Sequence, residues 1–239
     1  MRVLELWRYP VKSLQGERLT AADVGPLGLA GDRQWALFDA TTGVGLTARR
    51  VPDLLFAAAR TRADGAVEVV LPDGTVTADD AILSRWLGRE VALRPAADLA
   101  GSPVYEAPED DLEERAGGWV RWEGAAGAFH DNPAFRVSLV STETLGTWDR
   151  RRFRANVLLD GGGEDGLVGR RVRLGGAVLA VDDGISRCVM VTRPQAGGIG
   201  RETAVLKTIH RERGSRLAVG AAVLTPGTVA VGDAVEPAA

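Results

Sequence analysis

The chain is poor in the residues that usually hold metals: one cysteine and two histidines among 239 residues. A lone cysteine closes no internal disulfide, and by itself it builds neither a Cys-rich zinc site nor an iron–sulfur cluster. His130 and His210 leave little material for a histidine site. Metal chemistry stays open to such a chain only where a cofactor brings most of the ligands. Long apolar runs are also missing: no stretch approaches the ~18 residues of a transmembrane helix. The first residues, Met1 to Arg8, alternate like a strand and lack the apolar run and small-residue cleavage site of a secretory signal. Charge of one sign is missing too, with Lys+Arg 29 against Asp+Glu 32 and a net charge of -3. Nothing in that balance attracts nucleic acid or an anionic membrane, so any anion site must be a local cluster. The expectation is a cytoplasmic protein with neither nucleic acid nor membrane as partner.

What is present is an ordinary globular composition, 45% hydrophobic and 26% charged, at a length that suits one large domain or two small ones. Short apolar runs broken by Gly, Pro and Asp predict many strands and few helices. Strands are expected over 5–8, 18–24, 35–39, 54–62, 67–71, 135–140, 154–159, 170–174, 177–182 and 188–192. Helices are expected over 81–87, capped by Asp79 or Asp80 and closed by Gly88, and over 204–211. Pro226-Gly227 reads as the turn of a final hairpin over 222–235. The stretch 96–118, rich in Ala, Gly, Pro and acids, reads as a connector with poor internal order. The fold class is therefore mainly β (α+β), a barrel or sandwich, with domains expected at 1–97 and 98–239.

Four segments can carry chemistry. Tyr9-Pro10-Val11-Lys12-Ser13 follows a strand and sets an ammonium beside a hydroxyl; an exposed loop explains it as well. Gly31-Asp32-Arg33 turns tightly and presents a guanidinium fork, which suits a phosphate or a heteroaromatic edge, or a plain surface ion pair. Thr47-Ala48-Arg49 follows it. Ser141-Thr142 precedes Arg150-Arg151-Arg152-Phe153-Arg154-Ala155-Asn156, a local positive cluster. A solvated basic face accounts for Arg150 to Arg152, while strand alternation puts Arg154 and Asn156 on one face. Ser186-Arg187-Cys188 opens an apolar run, and Arg187 would favour a thiolate, the soft ligand of a thiophilic metal. A free cysteine is also commonly a small buried hydrophobe, and the residues alone leave both readings open.

In order along the chain, Tyr-Pro-Val-Lys-Ser, Gly-Asp-Arg, Thr-Ala-Arg, Ser-Thr, Arg-Phe-Arg-Ala-Asn, Arg-Cys and Thr-Pro-Gly-Thr with Val-Gly-Asp resemble the MOSC family. The resemblance runs from Arg2 to about Val235. It is most like members that carry an N-terminal β-barrel domain, such as the mitochondrial amidoxime-reducing component and its bacterial relatives. It implies a MOSC-type β-barrel core preceded by a smaller β-rich domain, and a molybdopterin-type molybdenum cofactor. By the resemblance, Cys188 binds molybdenum and is the catalytic residue, with Arg187 beside it. Lys12, Ser13 and Arg33 contact the pterin. Ser141, Thr142, Arg154 and Asn156 belong to the cofactor pocket, as do Thr47 and Arg49. The chain departs from the pattern between Leu145 and Arg152, where relatives carry a longer insert.

The implied activity is two-electron reduction of a small N-hydroxylated substrate, with electrons from a separate protein of ferredoxin, flavin reductase or cytochrome type. A carrier of the cofactor, or of sulfur as a Cys188 persulfide, is the alternative. A basic-patch scaffold on Arg150 to Arg154 is a third reading. His130 and His210 are left outside the site, His210 as a surface residue near a helix end.

Overall fold

The computed structural model describes residues 1–109 and 118–238. The chain opens with five strands: β1 (Val3–Arg8), β2 (Glu17–Leu19), β3 (Ala21–Gly25), β4 (Gly28–Leu29) and β5 (Trp35–Asp39). A small meander follows, β6 (Ala58–Thr61), β7 (Val67–Val70) and β8 (Val76–Thr77), then helix α1 (Asp80–Leu87) and β9 (Val91–Pro95). The middle of the chain holds β10 (Val104–Pro108), β11 (Trp119–Glu123), β12 (Val137–Ser141), the one-turn helix α2 (Thr142–Leu145) and β13 (Val157–Leu159). Last come β14 (Arg171–Leu174), β15 (Ala177–Ser186), helix α3 (Thr203–Arg213), β16 (Arg216–Thr225), β17 (Gly227–Ala230) and β18 (Val235–Pro237). Among the described residues no helix is long and apolar enough to cross a membrane.

The main sheet has the order β18, β14, β15, β16, β12, β13, β1, β2. Its junctions are antiparallel except β12 with β13, where Leu139 pairs with Val157. The sheet curls far enough for Val3 to exchange hydrogen bonds with Asp233 and Gly232, each at 2.8 Å, which closes it as a barrel. Alternation fills the interior: Ala177, Leu179 and Val181 of β15 are buried while their neighbours are less so. They meet Val3, Leu6, Leu139, Val157 and Val219 in one core, and β3 and β4 add Val24 and Leu29. A second core gathers Val11, Leu14, Leu54, Val69, Leu83 and Leu93. Core membership therefore does not follow chain order, because β1 to β4 pack with residues 137–229.

Helix α1 forms as its signals predict. Asp79 accepts from the Ala81 and Ile82 amides, and Gly88 leaves in the left-handed conformation at φ 63°. Gly175-Gly176 makes the two-residue turn between β14 and β15.

Four expectations are corrected. Residues 52–56 form a 3-10 turn rather than strand: Pro52 starts it, and the adjacent Leu54 and Leu55 are both fully buried, which a half-buried strand does not allow. Residues 189–192 also form a 3-10 turn, with Thr192 Oγ1 donating to Val189 O at 2.8 Å. Arg154 is not in a strand; its φ is 46°, and β13 begins only at Val157. Pro226-Gly227 makes no hairpin, because β17 pairs with β3 instead, held where Gly176 N donates to Thr228 O at 2.8 Å. Within the expected connector, Val104–Pro108 is strand β10 and pairs with β11. Its acidic part at 110–117 lies outside the described residues.

Candidate functional site

Three turns supply side chains to the candidate site. Ser13, Arg33 and Arg154 each sit in the left-handed region, at φ 72°, 52° and 46°. Non-glycine residues held there cost about 1–3 kcal/mol each and persist where the surroundings fix them. The fixing contacts are explicit. Ser13 Oγ accepts from Ala48 N at 3.0 Å. Arg33 ion-pairs with the buried Asp32, which also accepts from Tyr9 N at 2.7 Å. Arg33 Nη2 donates to Arg154 O at 3.2 Å, tying two of the strained turns together.

These turns border a cavity of about 400 Å³. One side is Ser13 with Thr47, Ala48 and Arg49. A second is Ser186, Arg187, Cys188 and Met190, and a third is Glu106, Ala107 and Trp122. Asp131 and Arg154 complete it. Cys188 is half-buried, so its sulfur is neither core packing nor fully exposed. It stands in extended conformation immediately before the 3-10 turn at 189–192.

Arg187 is clamped. Its Nε donates to Leu217 O at 2.8 Å and Nη1 to Phe153 O at 3.1 Å. Its Nη2 is buried and has no hydrogen-bond partner among the described residues, nor has Thr47 Oγ1. Burial pulls the Arg187 guanidinium down to about 10, with the Cys188 side chain working against that and the Arg154 charge adding to it. Unpaired buried polar atoms are costly, and they are expected where a ligand supplies the partner.

A smaller cavity of about 120 Å³ shares Asp131, Arg154 and Arg187 with the first. Arg33, His130, Arg136 and Asn156 also line it. Arg136 Nη1 is another buried donor without a partner among the described residues. Burial lowers the pKa of Arg136, and it lowers that of Arg154 with help from Arg33. Asp131 is the acid shared by both cavities. Desolvation works against its charge, but Lys12, Arg154 and Arg33 outweigh it and hold the carboxyl well below the usual range. The site as a whole is cationic and suits an anionic, oxygen-rich ligand.

The structure brings Ser13, Thr47, Arg49, Arg154, Arg187 and Cys188 to the larger cavity, and Arg33 and Asn156 to the smaller. Asn156 is also a joint: Oδ1 accepts from Ser138 Oγ at 2.9 Å, and Nδ2 donates to Trp7 O at 3.2 Å. Lys12 lies beneath Asp131, donating to it and to Phe129 O, the latter at 3.1 Å. Ser141 and Thr142 line neither cavity. Ser141 caps α2 and takes Glu164 as partner of its amide at 3.1 Å, while Thr142 Oγ1 donates to Gly161 O at 3.2 Å.

The solvated basic face expected of Arg150 to Arg152 is overturned for Arg150 and Arg152, while Arg151 stays partly exposed beside Asp149. Arg152 is 6% exposed and donates to Val191 O and Gly200 O at 3.1 and 2.8 Å. Arg150 lies 3.6 Å over the Trp7 ring and pairs with Glu5. His130 is buried at 5% exposure, donates Nε2 to Leu27 O at 3.1 Å, and is pushed down to about 4 by burial and by Arg33. His210 is exposed, as expected. Asp131, Arg136 and Trp122 line the cavities without having been among the expected site residues.

Two family models match the chain: the MOSC N-terminal beta barrel domain over residues 1–84 and the MOSC domain over residues 126–236. The protein belongs to the MOSC family, whose domain is in general associated with the molybdenum cofactor. The division expected at 97/98 falls between the two matched stretches. No curated protein matches. Among solved structures, the chain is similar to the YUAD protein from Bacillus subtilis at 13% identity and TM-score 0.47, over 98% of this chain and 93% of that one. It is similar also to YiiM from Geobacillus stearothermophilus at 15% identity and TM-score 0.36, over 58% and 73% of the two chains.

Proposed function

We propose that this protein is a molybdenum-cofactor oxidoreductase in which Cys188 is the chain's ligand to the metal. The reaction is two-electron reduction of small N-hydroxylated compounds, hydroxylamines and amidoximes, to amines and amidines. One observation carries the reading: a half-buried thiol shares a cavity with two polar atoms left without partners, Thr47 Oγ1 and Arg187 Nη2. Among the described residues no three His, Cys, Asp or Glu side chains gather to hold a metal. A metal at Cys188 must therefore arrive with most of its ligands, as a pterin-bound metal does.

When bound, the cofactor supplies the redox chemistry, and the chain supplies binding, orientation and electrostatics. Arg49, Arg154 and Arg187 would hold its anionic oxygens in the larger cavity, and Arg33 and Arg136 in the smaller. Ser13 and Thr47 would face its polar edge. Asp131, ionised across the working pH range, accepts hydrogen bonds from ligand N–H or O–H groups. Overall the N–O bond is cleaved and two electrons and two protons are consumed, giving the amine or amidine and water. The single cysteine holds no cluster, so the electrons come from a separate electron-transfer protein.

The test is expression in a cofactor-competent host, followed by metal analysis, a visible spectrum and hydroxylamine reduction with an artificial donor. Molybdenum and turnover, both lost in Cys188→Ala, are expected. Normal turnover by a metal-replete Cys188→Ala variant overturns the ligand assignment. The partial exposure of Cys188 also supports a carrier without reductase activity. A persulfide on Cys188 with no molybdenum, seen by mass spectrometry, would favour that reading.

A further inference from the structure

The third side of the larger cavity is made by Glu106, Ala107 and Trp122, from the hairpin of β10 and β11. Its two strands, Val104–Pro108 and Trp119–Glu123, fall in neither matched stretch, 1–84 or 126–236. The cysteine and arginine sides lie within the matched stretches, and this wall lies between them. Segments that connect the elements of a scaffold are where a site is expected to carry its specificity.

The wall is fixed in place. Tyr105 is fully buried, and its ring centroid lies 4.9 Å from that of Trp122. Gly45 and Gly124 make room for it: a Cβ at either would come within 2.3 or 2.6 Å of the Tyr105 ring. The Lys12 ammonium lies 4.7 Å from the Tyr105 centroid and 5.8 Å from that of Trp122. Trp122 therefore packs on a buried ring, with a buried cation beside both, and it lines the cavity. Met190, half-buried against the second core, adds a polarisable thioether to the same cavity. In a cavity otherwise rich in arginine, these two side chains present apolar surface to a ligand.

We propose that Trp122 is the specificity-determining residue of this site, selecting N-hydroxylated substrates whose nitrogen-bearing group is a flat aromatic ring. Aromatic rings pack offset or edge-to-face with a favourable increment beyond the area they bury. Energy from a non-reacting ring is available to hold the reacting N–O group in place. The inference rests on the reductase reading for its substrate class, but the wall itself can be tested without turnover.

Two probes separate these. N-phenylhydroxylamine and hydroxylamine share the reacting group and differ by the ring. With the loaded protein and a reduced viologen as donor, Trp122→Ala is expected to lower the N-phenylhydroxylamine to hydroxylamine ratio of kcat/KM about tenfold, through KM for the aryl substrate. Trp122→Phe is expected to restore most of the ratio and shows that loss of fold is not the cause. With cofactor-free protein, ligand-observed NMR is expected to show N-phenylhydroxylamine binding that Trp122→Ala loses and Trp122→Phe keeps. If the wild type binds the aryl probe but never turns over, the reductase reading fails and the wall stands. An unchanged ratio in Trp122→Ala, or aryl binding equal to wild type in that variant, overturns the proposal.

Discussion

Lys12 and Asp131 share an ion pair with unequal access to solvent: the Lys12 side chain is 5% exposed and that of Asp131 78%. The cation has no water to fall back on, whereas the anion faces the cavity. Burial, partly offset by Asp131, pushes the Lys12 pKa down. Removing either partner should therefore give unequal results. Asp131→Asn takes the counter-charge from a buried ammonium that keeps Phe129 O as an acceptor, and is expected to cost about 1–3 kcal/mol. Lys12→Met leaves a solvated carboxylate and is expected to cost less than about 1 kcal/mol. Urea unfolding at pH 7 measures both, and equal losses would contradict the asymmetry.

His130 predicts an acid limb of stability. Its pKa falls from 6.5 to about 4 in the fold, chiefly through burial. The folded value is depressed, so the unfolded chain takes up the proton first. The stabilisation from a neutral His130 is complete above the unfolded value and is lost as pH falls from there toward the folded value. By linkage, about 2 kcal/mol should disappear between pH 7.5 and 5. His130→Gln should flatten that segment of the stability curve, and a slope unchanged from wild type would rule His130 out as its source.

Arg152 and Arg151 are adjacent in sequence and opposite in worth. Arg152 is buried and also donates to Glu202 at 3.2 Å, whereas Arg151 pairs with the half-exposed Asp149 beside it. Arg152→Ala is expected to cost about 3 kcal/mol by leaving buried carbonyls unpaired. Arg151→Ala should stay within about 1 kcal/mol, as for an exposed pair. Thermal unfolding midpoints of the two variants decide it.

Gly45→Ala probes the seating of the hairpin. The new methyl would meet the Tyr105 ring at 2.3 Å, in a place where the Gly45 amide also donates to Val104 O at 2.8 Å. Overpacking of this kind costs about 1–3 kcal/mol. The near-ultraviolet circular dichroism of the Tyr105–Trp122 pair should weaken with it, and an unchanged spectrum would show that the hairpin is not anchored there.

Much of the fold was legible because period and punctuation agreed. Asp79, Asp80 and Gly88 bounded α1, alternation marked β1 and β15, and a short apolar run marked β5. The failures share a cause. Leu54 and Leu55, Val189 to Thr192, and Arg154 are short apolar or polar runs whose backbone is set by tertiary partners rather than by their own pattern. The site followed the same division. Most site residues expected from the ordered motifs line the cavities, but three do not: Lys12 lies beneath Asp131, and Ser141 and Thr142 lie at the β12–α2 boundary, three and four residues beyond Ser138, the partner of Asn156. Trp122 and Arg136 carried no local signal, since only folding brings β11 and the 131–136 loop to the two cavities.

The barrel is closed by a seam between the first strand and residues 232–233, with Arg2 Nη1 reaching Gly232 O across 230 positions of sequence. During synthesis, the start of β1 cannot find that neighbour until residues 232–233 have left the ribosome. Until then the seam edge at Val3 stays open, although β1 already pairs with β2 from Leu6 to Arg8. Closing so long a loop is slow, and a fragment truncated before β18 should collect as aggregate rather than as a smaller folded body.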